Sequence, residues 1–442
     1  MTNSETKNFS QNVSSSYHLK DKGNNAPKLR FKGYNDEWKH LNFKSITTMI
    51  KDGTHGSYND LSEGIPLLSA KDIDNGKVII PDDCRRISLS DYNDIYKNYS
   101  LKINDILLTI VGTIGRVALV SDITNKYAFQ RSVGILRANE YNNPQFILYL
   151  LQTDFIKKQF YSKVNQSAQG GIYLDTLGKI DFKIPTLPEQ EKIASFLTLI
   201  DKKIEKQKEL VELLKKYKRG LLSQIFSQKL RFKDKNGNDY QEWEECKFDE
   251  IFQILGNNTL SRECLNYTNI GVKNIHYGDI LVKYHTCIND EIDKIPNINS
   301  DINLNKIPDD NYLTVGDVIL ADTAEDYTVG KTCEIVSCNT KILSGLHTIP
   351  CRPKRNFAKG YLGYYLNSAE YHDKLIPLIT GIKVSSISKK EIKKTIIKYP
   401  VYNEQKKIAN LLLLIENKLN LNIKRLELFE TYKKGLLQQL FI

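Results

Sequence analysis

The chain has 442 residues, more than a single hydrophobic core usually holds, so two to four domains are expected. Its net charge of +11 suits an anionic partner such as nucleic acid, and its 40% apolar content is enough to bury cores. No apolar run is long enough to span a membrane, and residues 1–20 lack the apolar stretch of a signal peptide, so a soluble, cytoplasmic protein is predicted.

The first module of the chain follows a polar leader. Residues 1–26 are rich in Ser and Asn, which predicts a disordered tail. In residues 27–184, the runs Ile106–Val111 and Arg116–Val120 flank a Gly-Thr-Ile-Gly turn and predict a β-hairpin. The apolar positions from Pro144 to about Phe160 predict a helix. This part is therefore predicted to be a globular α+β domain.

A coiled-coil pattern occupies residues 185–226. Apolar residues recur there at steps of three and four over more than four heptads, which predicts a long helix that begins near Pro188 and Glu189. The predicted seam consists of Ile193, Leu197, Ile200, Ile204, Val211, Leu214 and Leu221. Two polar residues, Gln207 and Lys218, interrupt it.

The rest of the chain repeats this order. The string KLRF at Lys28 returns at Lys229, and each copy is followed by Glu-Trp. In the second module, residues 227–399, Asp317–Val336 predicts a hairpin and Tyr361–Ile379 a helix. Residues 400–441 align with residues 185–226 at a constant offset of 215, with 19 of 42 positions identical. Their seam, in the helical segment 400–442, consists of Ile408, Leu412, Ile415, Leu419, Leu426, Phe429 and Leu436.

The seam of the second helix is interrupted at the same places as the first. Asn422 corresponds to Gln207, and Lys433 corresponds to Lys218. Matching interruptions favour pairing of the two helices with each other, because a polar residue in a seam can fix register and partner. The alternative is local fraying, with Lys218 reaching solvent.

Chain geometry selects the direction of pairing. A helix over residues 189–226 is roughly 57 Å long at 1.5 Å per residue, whereas a domain of about 160 residues is only about 40 Å across. The second module can therefore join antiparallel helices more easily than parallel ones. The predicted fold class is α+β: two tandem-repeat globular α+β domains joined by two long helices that form an antiparallel coiled coil, with pseudo-twofold symmetry.

The sequence offers no convincing catalytic centre or metal site. It contains no GxxxxGK[ST] phosphate loop, no G-x-G-x-x-G after a strand and no amino-methylation motif, the nearest string being Asn143-Pro144-Gln145-Phe146. The seven cysteines form no CxxC pair and no histidine pair has ligand spacing, so free thiols are expected. A basic, repeated protein without catalysis suits the reading of something that has two separated parts.

These motifs resemble the specificity (S) subunit of type I restriction-modification systems, the HsdS family. The resemblance runs from Lys28 to the C-terminus. Its strings are KLRF…EW at both module starts, KDGTHGS at 51–57, PLLSAKDI at 66–73, NDILLTIVGTIGRVALV at 104–120, FQRSVGILR at 129–137 and SAQGGIYLDTLGKIDFKIPTLPEQEKIA at 167–194. The second copy matches more loosely, with Asp322-Thr323 in place of the glycine turn.

The resemblance implies a division of labour. Residues 27–184 and 227–399 would be target recognition domains that each read one half of a bipartite DNA site, and residues 185–226 and 400–442 would be helical spacers that set the gap. The chain would not be catalytic. Two methyltransferase (M) subunits would use S-adenosylmethionine to methylate adenine, and motor-nuclease (R) subunits would use ATP and Mg to restrict DNA.

Residues that contact DNA are predicted from side-chain chemistry within these strings. Base reading needs forked donors or acceptors, and phosphate contacts use Lys, Ser, Thr and backbone amides. The candidates in the first copy are Lys51, Thr54, His55, Ser57, Lys71, Arg116, Gln130, Arg131 and Gln169. The candidates in the second copy are Lys273, Asn274, His276, Thr323, Lys331, Ser344, His347 and Lys383. The alternative for each is a structural role, such as a turn at His55 or a core carboxylate beside Arg131.

Two other functions stay open. A fused restriction-methylation enzyme carries a similar specificity region, although the methyltransferase motifs are absent from this sequence. A non-catalytic coiled-coil scaffold that binds only protein would lack the salt-sensitive DNA affinity that a DNA reader should have.

Overall fold

The computed structural model describes residues 17–19, 26–74, 76–163, 170–268, 271–381 and 384–442. Most of the tail predicted to be disordered, residues 1–26, lies outside the described residues, but Tyr17–Leu19 within it forms a strand that pairs with Leu29–Phe31. The chain divides into two compact units: the residues up to Lys208 with Arg425–Ile442, and Glu209–Lys424. In the part of the chain that the structure describes, no helix combines the length and apolar character needed to cross a membrane.

The first unit mixes short strands and helices, as predicted for an α+β module. Its strands are β1 Tyr17–Leu19, β2 Leu29–Phe31, β3 Lys39–Asn42, β4 Thr47–Asp52, β5 Ile65–Leu68, β6 Ile73–Asp74, β7 Lys77–Val78, β8 Arg86–Ile87, β9 Ile106–Thr109, β10 Val117–Leu119, β11 Ala128–Phe129, β12 Val133–Ala138 and β13 Asp181–Ile184. Its helices are α1 Phe43–Ile46, α2 Leu89–Ile95, α3 Pro144–Leu151, α4 Asp154–Ser162, α5 Leu174–Gly178 and the first part of α6 Leu187–Phe226.

An antiparallel sheet in the order β10-β9-β12-β4 forms the centre of the first unit. The predicted hairpin is confirmed, since Val117 pairs with Leu108 across β10 and β9. Its turn places Gly112 and Gly115 at φ 76° and 91°, which glycine adopts without strain. All four residues of β9 are buried, because packed clusters of apolar side chains cover both faces of the sheet. A second sheet has the order β11-β5-β8, with β5 and β11 parallel.

The helix predicted from Pro144 to about Phe160 is two helices, α3 and α4. Asn143 caps α3, with its Oδ1 accepting from the Phe146 amide at 3.0 Å. Thr153 begins α4 in the same way, since its hydroxyl accepts from the Ile156 amide at 3.3 Å. A Thr-Asp pair is an N-terminal capping signal, so the continuous apolar pattern concealed a restart.

The second unit has a similar composition of elements. Its strands are β14 Glu244–Lys247, β15 Phe252–Ile254, β16 Leu265–Asn266, β17 Lys273–Ile275, β18 Cys287–Asn289, β19 Asn297–Ile298, β20 Val318–Ala321, β21 Thr323–Ala324, β22 Thr332–Ser337, β23 Ile342–Ser344, β24 Thr348–Pro353, β25 Ser385–Ser386 and β26 Ile396–Tyr399. Its helices are α7 Phe248–Ile251, α8 Tyr277–Val282, α9 Tyr361–Leu366, α10 Ala369–His372, α11 Lys389–Ile392 and the first part of α12 Tyr402–Leu440.

A sheet in the order β15-β24-β20-β22-β18 forms the centre of the second unit. β20 and β22 pair antiparallel, which confirms the second predicted hairpin. A further sheet, β16-β19-β17-β23, contains the parallel pair β17 and β23. The helix predicted over Tyr361–Ile379 is broken into α9, α10 and a 3-10 turn at Ile376–Leu378.

The two long helices run antiparallel wherever they pair within a unit. In the first unit, Asp201 of α6 meets Lys433 of α12, and Lys208, further along α6, meets the earlier residue Glu430. In the second unit, Val211 and Leu214 of α6 pack with Leu419 of α12, and Lys218, further along α6, meets the earlier residue Glu416. The residue numbers rise along one helix as they fall along the other, which confirms the predicted antiparallel pairing.

The residues of the predicted seam lie on the apolar face of each long helix. They are buried except for Leu426 and Phe429, which are partly buried against the core of the first unit. The helices continue past Gly220 and Gly435 to Phe226 and Leu440. Heptad spacing therefore gives the long helices one continuous apolar face, as coiled-coil packing requires.

The strings repeated in the two copies anchor the start of each long helix. Arg30 donates from Nε and Nη2 to the two carboxylate oxygens of Glu189, both at 2.7 Å. Arg231 makes the same bidentate contact with Glu404, both at 2.9 Å. These pairs join the KLRF string to the Glu-Gln pair that begins α6 or α12. The identity of these strings in the two copies therefore has an internal, structural reason.

Candidate nucleic-acid interface

In the first unit, several strands end at the same edge of the central sheet. β4 ends at Asp52, β9 ends at Thr109, and β12, which is antiparallel to both, begins at Val133. The parallel strands β5 and β11 end at Leu68 and Phe129, immediately before the loops that reach this edge. The segments that follow these strand ends lie together, and they hold most of the residues predicted to contact DNA in the first copy.

Backbone hydrogen bonds hold these segments in contact. The Thr54 amide donates to the Phe129 carbonyl at 2.7 Å, and the Arg131 amide donates to the Thr54 carbonyl at 3.0 Å. The Ala70 amide donates to the hydroxyl of Ser132 at 3.0 Å, which brings the turn that contains Lys71 to the same place. Thr54, Lys71 and Arg131, distant in sequence, therefore belong to one loop cluster.

Gly53 permits this close approach. A Cβ atom at this position would lie 2.2 Å from the Phe129 carbonyl oxygen and 2.4 Å from that of Gln130. Both neighbours are backbone atoms, which cannot move aside as a flexible side chain can. The glycine in the string KDGTHGS is therefore required for the loops to meet.

The turn of the β9–β10 hairpin completes the cluster. The Ile110 amide donates to the Ser132 carbonyl, and the Ile172 amide donates to the Ile110 carbonyl, both at 2.9 Å. The exposed Arg116, which closes this hairpin turn, and the segment that begins at Gly170 therefore lie at the same edge. The predicted contact residue Gln169 lies outside the described residues.

The polar side chains of this cluster are mostly open to solvent. The Lys51 ammonium lies 4.7 Å from the ring centre of Tyr99, and the His55 Nε2 lies 2.6 Å from a carboxylate oxygen of Asp52. The Thr54 hydroxyl is 2.5 Å from that of Tyr58. Six of the predicted residues are exposed: Lys51, His55, Ser57, Lys71, Arg116 and Arg131. The surface of the cluster is therefore polar, with several cations free to meet a ligand.

The second unit builds its loop cluster with equivalent backbone bonds. The Asn258 amide donates to the Ser344 carbonyl at 2.9 Å, as Thr54 does to Phe129. The Gly345 amide donates to the Ile275 carbonyl at 2.8 Å, and the Asp322 amide donates to the His347 carbonyl at 3.1 Å. Their equivalents in the first unit are the bond from the Gln130 amide to the Leu68 carbonyl, at 2.8 Å, and the bond from the Ile110 amide to the Ser132 carbonyl. The same three connections between strand ends therefore occur in both units.

Three of the predicted residues of the second copy are buried. Asn274 accepts a hydrogen bond from the Asn258 side chain at 2.7 Å, and the Ser344 hydroxyl lies 2.6 Å from that of Thr348. His276 accepts from the Gly278 amide at 3.3 Å through Nδ1. Burial, reinforced by the nearby positive charge of Arg262, lowers the pKa of His276. These side chains support the loops from beneath.

The remaining predicted residues of the second copy differ in accessibility. Lys273 and Lys331 are partly buried and donate to the backbone carbonyls of Asp290 and Leu281, at 2.7 and 2.8 Å. His347 is 47% exposed, and its Nδ1 lies 3.3 Å from the Thr323 hydroxyl. Lys383 lies outside the described residues. Of the predicted set, Thr323 and His347 thus lie at the surface of the second cluster.

The structure adds residues that the sequence reasoning did not select. Asn257 and Asn258 follow β15 as Gly53 and Thr54 follow β4. The Asn257 side chain donates to the Gly345 carbonyl at 3.3 Å and accepts from the Lys389 ammonium at 3.2 Å. Insertions in the second copy shift the numbering, so no constant offset pointed to this loop; the string Gly-Asn-Asn after a strand was the available signal.

The described residues contain no group of three or more His, Cys, Asp or Glu side chains placed to hold a metal ion. All seven cysteines are free. The polar side chains in the two clusters are instead those used for hydrogen bonding and for pairing with anions.

Parts of the chain are similar to proteins of known type. Residues 35–215 match the family model described as the type I restriction modification DNA specificity domain. The putative type I restriction enzyme MjaX specificity subunit of Methanocaldococcus jannaschii is 24% identical over 432 residues, which cover 92% of this chain and 93% of that relative. The type I restriction enzyme EcoBI specificity subunit of Escherichia coli is 27% identical over 135 residues, 30% of this chain and 28% of that relative.

The fold is shared with a solved structure. The S subunit of a type I restriction-modification system from M. genitalium superimposes with a TM-score of 0.56 at 16% identity, over 94% of this chain and 99% of that one. The family model covers the first module and part of α6, and the relative from M. jannaschii extends over nearly the whole chain. Residues 35–215 therefore match a type I restriction modification DNA specificity domain, and nearly the whole chain is similar to a type I specificity subunit.

Proposed function

We propose that this chain reads a bipartite DNA sequence for a type I restriction-modification complex, one half with each unit. The observation that carries the proposal is the loop cluster built by equivalent backbone bonds in both units. The chain therefore has two sites that share the same backbone arrangement but carry different side chains. Members of the family are non-catalytic, so the chain directs chemistry that partner subunits perform.

The first cluster has the side chains that base reading needs. Gln130 and Arg131 are neighbours in the loop between β11 and β12, and their forked ends suit adenine and guanine edges in the major groove. The exposed cations Lys71 and Arg116 suit the flanking phosphates, which position a reader without specifying sequence. Thr54 and the backbone of its loop hold the two kinds of contact together.

The second cluster has a different set for the same task. The amide of Asn257 and the ring of His347 are the forked or bifunctional groups at its surface. Lys389 and Lys390, both exposed at the start of α11, suit phosphate contacts beside them. In this proposal the buried Asn274, Ser344 and His276 hold the loops in place and do not touch DNA.

The long helices are proposed to set the gap between the half-sites. Each has residues in both units, and the 40 residues of α6 correspond to about 60 Å of helix at 1.5 Å per residue. Half-sites on one face of the duplex lie about 34–36 Å apart per helical turn. A helix of this length is compatible with that spacing after its ends are embedded in the units.

Partner subunits are proposed to supply the reactions. Two M subunits, using S-adenosylmethionine, would methylate one adenine in each half-site, and R subunits, using ATP and Mg²⁺, would cut unmodified DNA. Methylation requires the target base to be flipped out of the stack, so this chain must hold DNA while leaving that base accessible. Such a complex would act in the cytoplasm, where host and incoming DNA meet.

The primary test is the methylation pattern that this chain confers. We expect co-expression with the M subunit of the same system, followed by single-molecule sequencing of host DNA, to reveal one split motif with methyladenine on both strands. The M subunit without this chain is the control and should methylate nothing specific. A stable complex that adds no methylation would contradict DNA reading and favour the protein scaffold.

Single substitutions test the assignment of the clusters. Arg131→Gln should relax one position in one half of the motif and leave the other half unchanged, because base contacts specify sequence locally. Lys389→Gln should weaken DNA binding for all sequences and reduce the slope of log affinity against log salt by about 1. Arg355→Gln is the matched control, since Arg355 contacts Tyr399 and Glu244 away from the clusters. An unchanged motif and affinity in both variants would refute the assignment.

A further inference from the structure

The lysines that interrupt the two helical seams, Lys218 and Lys433, are not used in the proposed DNA reading. Both interrupt the apolar face at equivalent positions, as Gln207 and Asn422 also do. A lysine there costs stability unless something in the fold requires it. The structure gives each lysine a carboxylate partner on the opposite helix and an aromatic ring from the module.

In the first unit the network joins three elements. The Lys433 ammonium of α12 lies 2.6 Å from Oδ1 of Asp201 on α6. The Tyr149 hydroxyl of α3 donates to Oδ2 of the same carboxylate at 2.8 Å. The Lys433 ammonium also lies 5.5 Å from the ring centre of Tyr149, which is fully buried. One carboxylate therefore ties the module to both long helices.

In the second unit the roles of the helices are exchanged. The Lys218 ammonium of α6 lies 3.0 Å from Oε1 of Glu416 on α12. The Tyr364 hydroxyl of α9 donates to Oε2 at 2.5 Å, and the Lys218 ammonium lies 5.8 Å from that ring. His285 approaches the same carboxylate, with its Nδ1 at 3.6 Å from Oε1. Burial raises the pKa of Tyr364, which keeps its hydroxyl protonated as a donor.

The two networks are equivalent in sequence as well as in geometry. Tyr364, Glu416 and Lys433 each lie 215 positions after Tyr149, Asp201 and Lys218, the offset of the helical repeat. The carboxylate is aspartate in one copy and glutamate in the other. The chemical type is kept while the side-chain length changes, which indicates a role for the charge and its position.

The networks can distinguish between registers that the apolar seam cannot. A heptad seam matches itself again after a slip of seven residues. The residues seven positions from Lys433 are Leu426 and Leu440, and those seven positions from Lys218 are Val211 and Ile225. A slip of one heptad would therefore keep apolar contacts but set both carboxylates against aliphatic side chains, without a cation.

We propose that Lys218 and Lys433 are the residues that set the register of the two long helices. Charge pairing at a carboxylate that is also held by a buried tyrosine makes one register favourable and the slipped ones unfavourable. Under the proposed function, a slip of one heptad, about 10 Å, would change the gap between half-sites by about three base pairs, since base pairs repeat every 3.4 Å. This consequence rests on the proposed function; the register assignment itself does not.

Chemical crosslinking tests the register without DNA. Lys208 and Glu430 face each other at 2.8 Å and are both 47% exposed. A short bis-maleimide should link Lys208→Cys to Glu430→Cys in the wild-type background, and should not link it to Ile423→Cys or Leu437→Cys, one heptad away. Mass spectrometry of the linked peptides separates these products from those of the native cysteines. In the Lys218→Leu, Lys433→Leu background, a slipped product should appear that the wild-type background lacks.

The controls separate register from general stability. Lys216→Leu with Lys434→Leu makes the same chemical change at exposed positions of the same helices, and should give the in-register product alone. Lys218→Arg with Lys433→Arg should retain one register. If the leucine variant does not fold, Asp201→Asn with Glu416→Gln removes the charge and keeps the shape, and should also give the slipped product. A single in-register product in every folded variant would overturn the proposal.

The methylation motif supplies the second readout. The folded leucine variant should methylate the original motif together with one whose gap differs by about three base pairs. A wild-type complex that confers no split motif would refute the proposed function, while the crosslinks would still decide the register. A split motif in the wild type with slipped crosslinks but an unchanged gap in the variant would refute only the link between register and gap.

Discussion

Replacing Arg30 by methionine is expected to destabilise the first unit specifically. Arg30 and Glu189 are 5% and 1% exposed, and the guanidinium donates to both carboxylate oxygens at 2.7 Å. The guanidinium also donates to the Asp36 carbonyl at 2.7 Å. Methionine retains the length of the apolar stem but leaves the Glu189 carboxylate buried without its cation.

The size of the effect follows from the burial of the carboxylate. Removing one partner of a buried ion pair costs about 3–5 kcal/mol. Glu189 lies in the first turn of α6, where the helix dipole stabilises an anion by about 0.3–1 kcal/mol and so partly compensates the unpaired carboxylate. The expected net loss is about 2–4 kcal/mol, which corresponds to roughly 5–15 °C in the melting temperature of a unit of this size.

Calorimetry of the intact chain measures this loss. Arg30→Met should lower the melting temperature of one unit, and Arg231→Met should lower that of the other by less, because Arg231 is 19% exposed. The double variant Arg30→Met, Glu189→Leu should recover much of the stability, since an apolar pair can replace a buried ion pair at little cost.

Two outcomes would refute this reasoning. Arg85→Met removes a cation from an exposed pair with Asp60 at 3.6 Å, which is worth about 0–1 kcal/mol. If Arg30→Met were no more destabilising than Arg85→Met, the buried pair would not be what anchors the helix. If the double variant were less stable than Arg30→Met alone, the loss would come from packing and not from the unpaired charge.

Two further substitutions test other parts of the structure. Gly53→Ala should separate the loops of the first cluster and abolish methylation of the split motif, because its Cβ would lie 2.2 Å from the Phe129 carbonyl oxygen. Gly220→Ala is the control: its Cβ meets open space in α6, so this variant should raise the melting temperature. Equal behaviour of the two variants would contradict the predicted clash at Gly53. Burial raises the pKa of Glu334 to about 7 from an ordinary value of 4.5, against the opposing hydrogen bonds from the Gly360 and Gly363 amides. The stabilisation that the protonated Glu334 side chain gives to the fold is present in full below pH 4.5 and is lost as the pH rises through 7, a loss of about 3 kcal/mol in all. Glu334→Gln should therefore flatten the fall in melting temperature between pH 5 and 8. An unchanged slope would refute the assignment.

The elements that local pattern determines were predictable from the sequence. The glycines at 112 and 115 mark the hairpin because positive φ is strained for other residues, and heptad spacing marks α6 and α12 because a long apolar face must be covered. The antiparallel direction was also predictable, since it follows from chain length. The break between α3 and α4 was missed because Thr153 interrupts the apolar pattern by only one turn.

The site was harder to predict than the frame. Asn274 lies on β17, which has β19 on one side and β23 on the other, so its side chain is buried although its residue type suggests exposure. A strand of three residues gives no periodicity from which to assign a face. Asn257 was missed for a different reason: its correspondence with Gly53 is visible only from the following residues, Asn258 and Thr54, whose amides bond to β23 and β11.

The two copies are alike in the residues that hold the fold together and differ in the loops at the surface. Residues that are alike in both copies, such as Arg30 and Arg231 or Lys218 and Lys433, find their partners inside the protein. The loop clusters keep the same backbone bonds but not the same side chains. A reader of two identical half-sites would need matching side chains at matching positions. The backbone arrangement repeats in the two units, but the side chains of the two loop clusters do not. The two half-sites are therefore expected to differ in sequence.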